Sequence, residues 1–170
     1  GHAAQPHSSN EVLVAACALV TNLQTIVARR LDPADIAVVS VTELITDGMR
    51  NALPGTARIL GDARSFRSDV SVEIEQQMHA IAEGTALAYN VETHVNYTRE
   101  FIPLVNDATL AKEVVCVAKE IFGASHVRVS SKPMTGSEDF AQFLTKVPGC
   151  FVFLGNGEQS PPLHNSNYDF

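Results

Sequence analysis

Arg64 and Asn51 are residues whose types and positions could do recognition chemistry. A guanidinium fork matches two carboxylate oxygens and an Asn amide adds a neutral donor, so an Arg near a strand end beside a loop Asn can clamp a carboxylate. The competing reading pairs Arg64 with Asp62 or a helix carboxylate on the surface, and on pattern alone that surface pair is favoured. Among the six histidines, His2 and His7 flank the first loop and His164 sits in the last, beyond an apolar run. A His outside the end of a buried strand is well placed for a site or a metal. His79 falls within a helix pattern, His94 in an alternating segment and His126 at a strand start, so these three read as structural or surface residues. No two histidines have HxxxH spacing and no Cys-x-x-Cys occurs. Glu138 and Asp139 fall in the first turn of an expected helix, where the dipole alone favours a carboxylate. No Ser, Cys or Gly-rich loop shows a nucleophile or phosphate pattern.

These residues need elements to hold them. Ser8 and Glu11 have capping-box spacing, which predicts a helix from near Ser9 to about Arg30 that buries Val12, Ala16, Leu19, Leu23 and Ile26. Leu31-Asp32-Pro33 stops it. Ile36 to Ile45 is β-branched and reads as a strand, and a loop with Asn51 and Pro54-Gly55 leads to a second strand ending at Asp62-Ala63-Arg64. Ser68-Asp69 opens a second long helix with an Ile74, Met78, Ile81, Thr85 and Ala88 stripe, and Val91 to Tyr97 alternates as a strand. Helix, strand, strand, helix, strand is a split βαββαβ unit without its first strand. Such a strand is an inner one, so unpaired edges are expected, which hints at a fragment.

Pro103 with Asn106-Asp107 marks a boundary. Beyond it the pattern predicts a helix over 108–122 with Leu110, Val114, Val117 and Ile121 inward, ended by Gly123. A short strand over 127–131, a helix capped by Ser137 and carrying Phe140, Phe143 and Leu144, and a strand CFVFLG covered on both faces complete an α/β pattern. A 170-residue chain can bury a real core as one large or two small domains. Net charge is −7 with no basic run, which argues against nucleic acid, and no apolar stretch is long enough for a bilayer. The opening GHAAQPHSSN has neither the basic nor the apolar region of a signal peptide. Cys17, Cys116 and Cys150 are odd in number and set among apolar residues, so they read as buried thiols of a reduced, cytoplasmic compartment.

GHAAQPH, LQTIVARRLDP, VVSVTELITDG, RNALPGTARILGDARSF, MTGSEDFAQF, PGCFVFLG and LHNSNYDF occur in this order and cover nearly the whole chain. Together they resemble the dinuclear-metal amidohydrolases that include hippurate hydrolase, N-acyl-amino-acid hydrolases and auxin-conjugate hydrolases. The resemblance implies an α+β fold: a metal-binding α/β catalytic domain interrupted by a ferredoxin-like satellite of four antiparallel strands and two helices, which dimerises. Residues 1–103 would be the satellite, with its first strand missing, and 104–170 the end of the catalytic domain.

Carried over residue by residue, His2 matches the GHAA histidine that reaches the partner subunit's active site and donates to the developing oxyanion. Asn51 and Arg64 match the pair that holds the substrate carboxylate, which reverses the preference for a surface role of Arg64. His164 matches a metal-ligand histidine. Glu138, in SEDF, matches a residue near the metal pocket, and His7 is read as fixing the loop. The implied cofactors are two divalent ions (Mn, Zn, Co or Ni), and the implied reaction is metal-assisted hydrolysis of an N-acyl-amino acid.

The family's Cys/His cluster, adjacent glutamates and further His have no match here. One candidate ligand cannot build a two-metal site, so the chain is expected to be the C-terminal part of such an enzyme and inactive alone. Two alternatives remain: a non-catalytic dimerisation or amino-acid-binding module, which would bind without metal or turnover, and a degenerate paralogue that has lost its ligands.

Overall fold

The computed structural model describes residues 1–129 and 132–168. The chain divides into two compact units, one of Gly1–Pro103 with Lys132–Glu138, the other of Leu104–Ser131 with Asp139–Phe170.

In the first unit, helix α1 (Val12–Leu23) buries Ala15, Ala16 and Leu23, and a π-helical turn over Ile26–Arg30 buries Ile26. The predicted stripe is thus largely present, but the capping box is not. The Ser8 hydroxyl donates to the Gln5 carbonyl at 2.8 Å within a 3-10 turn, and Glu11 precedes α1 without a side-chain cap. A serine that bonds its own local backbone is lost to the helix, which therefore starts later.

Strands β1 (Ala37–Thr46) and β2 (Ala57–Ser65) pair antiparallel, with Ala37 opposite Ser65 and Thr46 opposite Ala57. A register shift between Val41 and Glu43 leaves Thr42 as the extra residue of a bulge. Across from it, Gly61 lies so near the Ser40 carbonyl that a β-carbon would collide with that backbone. Close approach, rather than turn geometry, therefore selects glycine here.

Helix α2 (Ser68–Tyr89) buries Val70, Ile74, Ile81, Ala82 and Thr85, and it ends at Asn90 in the left-handed conformation (φ 51°) that Asn tolerates. Buried Thr85 is satisfied by donating to the Ile81 carbonyl at 2.9 Å. Leu23, Ile26, Leu31, Val39, Val70, Ile74 and Ile81 form the core, with Leu19, Ala63, Met78 and Tyr97 packed against it. The unit is therefore two helices laid on the Val39/Ala63 face of a two-stranded sheet.

The sheet is smaller than the sequence predicts. Val91–Tyr97 joins no ladder, because among the described residues no strand lies beside it to accept its hydrogen bonds. Side chains anchor the segment to α2 instead. The Tyr97 and Ser71 hydroxyls are 3.2 Å apart, Arg99 donates to Glu75 at 2.6 Å, and the Arg99 guanidinium lies 4.9 Å from the Tyr97 ring centroid.

In the second unit, α3 (Ala108–Phe122) begins at Asp107, whose Oδ1 accepts from the Thr109 and Leu110 amides at 2.9 Å each, and ends at Gly123 (φ 85°). Its bounds match the prediction; its burial does not. No α3 residue is buried, and Val117 and Ile121 are 53% and 67% exposed. Helix α4 (Phe140–Leu144) buries Ala141, and Phe140 and Phe151 approach to 5.8 Å. The expected strands over 127–131 and in CFVFLG are absent among the described residues, for want of a neighbour; Ser130 and Ser131 lie outside those residues. In place of a ladder, the Asn106 amide donates to the Phe151 carbonyl at 2.9 Å and accepts from the Phe151 N–H at 2.8 Å. Val152, Phe153 and Leu154 are exposed rather than covered on both faces.

The cysteines are free, as expected, but Cys17 and Cys116 are exposed and Cys150 is half-buried. Cys17 and Cys116 stand at exposed positions of α1 and α3, so an apolar sequence context did not mean burial. Among the described residues, no helix is long and apolar enough to cross a membrane.

Candidate functional site

The loop between β1 and β2 is a closed hairpin. The Met49 amide donates to the Ala52 carbonyl and the Ala52 amide to the Met49 carbonyl, both at 3.1 Å, which puts Arg50 and Asn51 at the tip. At its base, Asp47 Oδ1 accepts from the Gly55 and Thr56 amides, at 2.9 Å each. The Thr56 amide, foremost, holds the Asp47 carboxyl below the ordinary value of 3.8. The two arms touch, since a β-carbon on Gly48 would stand 3.1 Å from the Pro54 ring.

His2 is carried by a segment that pairs with this hairpin. The Ala3 amide donates to the Asn51 carbonyl at 3.1 Å and the Leu53 amide to the Gly1 carbonyl at 2.7 Å, with His2 opposite Ala52. His2 Nδ1 accepts from the Ala4 N–H at 3.1 Å. An accepting nitrogen carries no proton, so the neutral ring holds its hydrogen on Nε2 and presents it as a donor. The ring is exposed. His2 and Asn51 are thus brought onto one small backbone bridge.

Arg64 stands one residue from the end of β2. Its Nε donates to Asp62 Oδ2 at 2.5 Å, the pairing that the pattern alone suggests. Nη1 donates to the Thr135 carbonyl at 2.8 Å and to Ser137 Oγ at 3.0 Å. With side chains 39% and 52% exposed, the Arg64–Asp62 pair is worth at most about 1 kcal/mol, so it does not account for the position by itself. Ser137, expected as a helix cap, instead accepts from Arg64, which leaves its own O–H to donate elsewhere.

Glu138 is half-buried in the first unit and precedes α4; Asp139 is the residue at the N-cap. His164 belongs to the second unit, in an exposed turn at φ 65°, a conformation uncommon for a residue with a β-carbon. Among the described residues, no group of three or more His, Cys, Asp and Glu side chains could hold a metal ion. The described residues therefore do not fit a metal site of their own, and His164 belongs to no such group among them.

Sequence reasoning missed Asp47 and the Thr135–Ser137 contacts. The signal for Asp47 was an acidic residue at a strand end facing Gly55-Thr56 across a short loop, a pattern that suits carboxylate-to-amide bonding. The Arg64–Ser137 contact spans 73 positions and has no local signal.

By comparison with known proteins, the chain falls among those described by a peptidase family model. More narrowly, the chain belongs to Peptidase family M20/M25/M40, whose model matches residues 2–170. It is similar to the N-acetyldiaminopimelate deacetylase of Geobacillus sp. (strain WCH70), 36% identical over 91% of this chain and 41% of the relative. The same activity name belongs to an Anoxybacillus flavithermus relative, 34% identical over 98% of this chain and 43% of that protein. The chain thus spans about two-fifths of the length of these curated relatives. Among solved structures it is similar to an aminohydrolase candidate from methicillin-resistant Staphylococcus aureus (TM-score 0.76, 30% identity, 88% of this chain and 38% of that one). It is also similar to the Bacillus subtilis YXEP protein, a dinuclear metal-binding peptidase of the M20 family (TM-score 0.70, 25% identity, 85% of this chain and 36% of that one).

Proposed function

We propose that this chain supplies the substrate-carboxylate and oxyanion contacts of an amidohydrolase that cleaves N-acyl-amino acids, of the N-acetyl or hippurate type, to a carboxylate and a free amino acid. The observation that carries the reading is the Ala4 amide on His2 Nδ1, which makes Nε2 a hydrogen-bond donor on the same bridge as Asn51. A donor aimed at a carbonyl oxygen stabilises the negative charge that grows there as the amide carbon is attacked. Arg64, with Asn51, holds the free carboxylate and so fixes the amide relative to that donor. The relatives named as deacetylases support an acyl group as small as acetyl.

In this reading the first unit is a ferredoxin-like satellite through which the protein forms a homodimer, and His2 acts in the partner's site. The second unit is the end of the catalytic domain. The two divalent ions, Mn, Zn, Co or Ni, would take their ligands, His164 apart, from residues beyond this chain, so no step is assigned to them. The chain alone is expected to be inactive, as the C-terminal part of the enzyme, and the three free cysteines suit the cytoplasm.

The test is hydrolysis of N-acetyl- and N-benzoyl-amino acids by the longer protein, beside the same compounds as methyl esters. Turnover of the free acids, with KM raised for the esters, supports the reading. Binding of the acids without turnover under any of the four metals overturns it in favour of a recognition module.

A further inference from the structure

We infer that Asp47 is the positioning residue of this face: its carboxylate closes the hairpin that carries Asn51 and, through the hairpin, fixes the segment that carries His2. The inference rests on the roles proposed for His2 and Asn51, but its geometry stands apart from them. One oxygen, Asp47 Oδ1, accepts both the Gly55 and Thr56 amides at 2.9 Å, and so ties the end of β1 to the start of β2 at the mouth of the loop. Hydrogen bonds to an ionised acceptor are stronger and shorter than neutral ones, so this clasp outweighs the single backbone bonds beyond it.

From there the order passes outward one contact at a time. The closed arms bring Gly48 against Pro54, and the Met49–Ala52 pair closes the tip. The squared-off Asn51–Leu53 arm then offers the Asn51 carbonyl to Ala3 and the Leu53 amide to Gly1. Only with Ala3 and Ala4 so placed can the Ala4 N–H meet His2 Nδ1 and select the Nε2–H tautomer. An exposed loop with few buried contacts opens at little free-energy cost, so removing its one charged clasp should be felt along this whole path. The unit's core cluster, built on Ile26 and Ile74, includes none of these loop residues.

The experiment is residue-resolved amide exchange and imidazole nitrogen NMR on this 170-residue chain, unmodified and as Asp47→Ala and Asp47→Asn. In Asp47→Ala the Ala3 and Leu53 amides should exchange at least about tenfold faster, while Val39, Ala63 and the α2 amides keep their rates. The His2 nitrogen shifts should move from one tautomer towards a mixture. Asn keeps an accepting oxygen, so Asp47→Asn should restore most of the protection. Unchanged Ala3 and Leu53 rates in Asp47→Ala overturn the inference, as does equal acceleration of the core amides. If Asp47→Ala does not fold, Asp47→Asn decides: protection kept at Leu53 supports the inference and loss shared with the core overturns it. Should the NMR changes appear while the longer enzyme hydrolyses no N-acyl-amino acid, the positioning stands and the proposed function falls. Hydrolysis with no NMR change overturns the positioning alone.

Discussion

The imidazole of His2 is held by the backbone of Ala4, whose N–H donates to Nδ1 at 3.1 Å. This single bond decides which nitrogen carries the proton, and among the described residues no carboxylate takes part. A histidine held this way offers a neutral N–H, suited to stabilising charge that develops rather than charge already present.

His2→Ala in the longer enzyme is therefore expected to lower kcat by about 10²–10³-fold, the usual cost of losing one oxyanion donor, with KM nearly unchanged. Steady-state kinetics on N-acetyl-amino acids measure this. An unaltered kcat would remove His2 from the reaction.

Arg64→Ala should mainly raise KM, by roughly 10–100-fold for substrates with a free carboxylate, as expected for a lost charged hydrogen bond. Methyl esters should be affected far less. Arg64→Lys should not restore the affinity, because an ammonium cannot reproduce the planar fork that also reaches Asp62, Thr135 and Ser137. Full rescue by Lys would leave only a point charge in that role.

Ile74 is fully buried at the centre of the first unit's core. Ile74→Ala should cost about 2–5 kcal/mol, from lost burial and the cavity left behind. Chemical denaturation followed by far-UV circular dichroism gives the figure. A cost under about 1 kcal/mol would mean that α2 is not packed as described.

The hydrogen bond from Arg67, chief among several causes, holds the Asp69 carboxyl below its ordinary value of 3.8. A depressed folded-state value stabilises the fold above the unfolded-state value, and that contribution is lost as pH falls through the folded-state one. The stability gap between unmodified protein and Asp69→Asn should thus be constant from neutral pH down to about pH 5. It should close as pH drops below 3.8. A gap that widened in acid would contradict the Arg67 pairing.

Cys17 and Cys116 are exposed and Cys150 is half-buried. A thiol reagent under native conditions should label the first two rapidly and the third slowly, with all three equivalent after unfolding. Mass spectrometry of digested protein reads the order. Fast labelling of Cys150 ahead of Cys17 would contradict the packing around Phe151.

Periodicity carried the sequence reading where both partners of a contact lie close in the chain. The α2 stripe of Ile74, Ile81 and Thr85 and the β1–β2 hairpin follow directly from spacing of 3.6 and 2 residues. Val91–Tyr97 and CFVFLG have the composition of strands, yet alternation records only what a segment can pair with, not whether a neighbour is there. Capping failed because the Ser8 hydroxyl had a second local partner, the Gln5 carbonyl three residues before it, and bonded that one. The candidate site divides the same way. Asn51 and His2 were singled out by their loop positions and given roles only by resemblance to a family, while their backbones meet on one bridge only in the structure. The Arg64–Ser137 contact joins distant stretches and could not be read from either.

Asn106 meets Phe151 in both directions, giving one hydrogen and taking another. A two-way exchange demands a carbonyl and an amino group on one rigid plane, which confines the position to a carboxamide. Aspartate would have no hydrogen to give, leucine would have neither function, and glutamine would overshoot by one methylene. A single side chain thus acts as a surrogate rung, and selection at position 106 would answer to the order of the main chain rather than to any reaction.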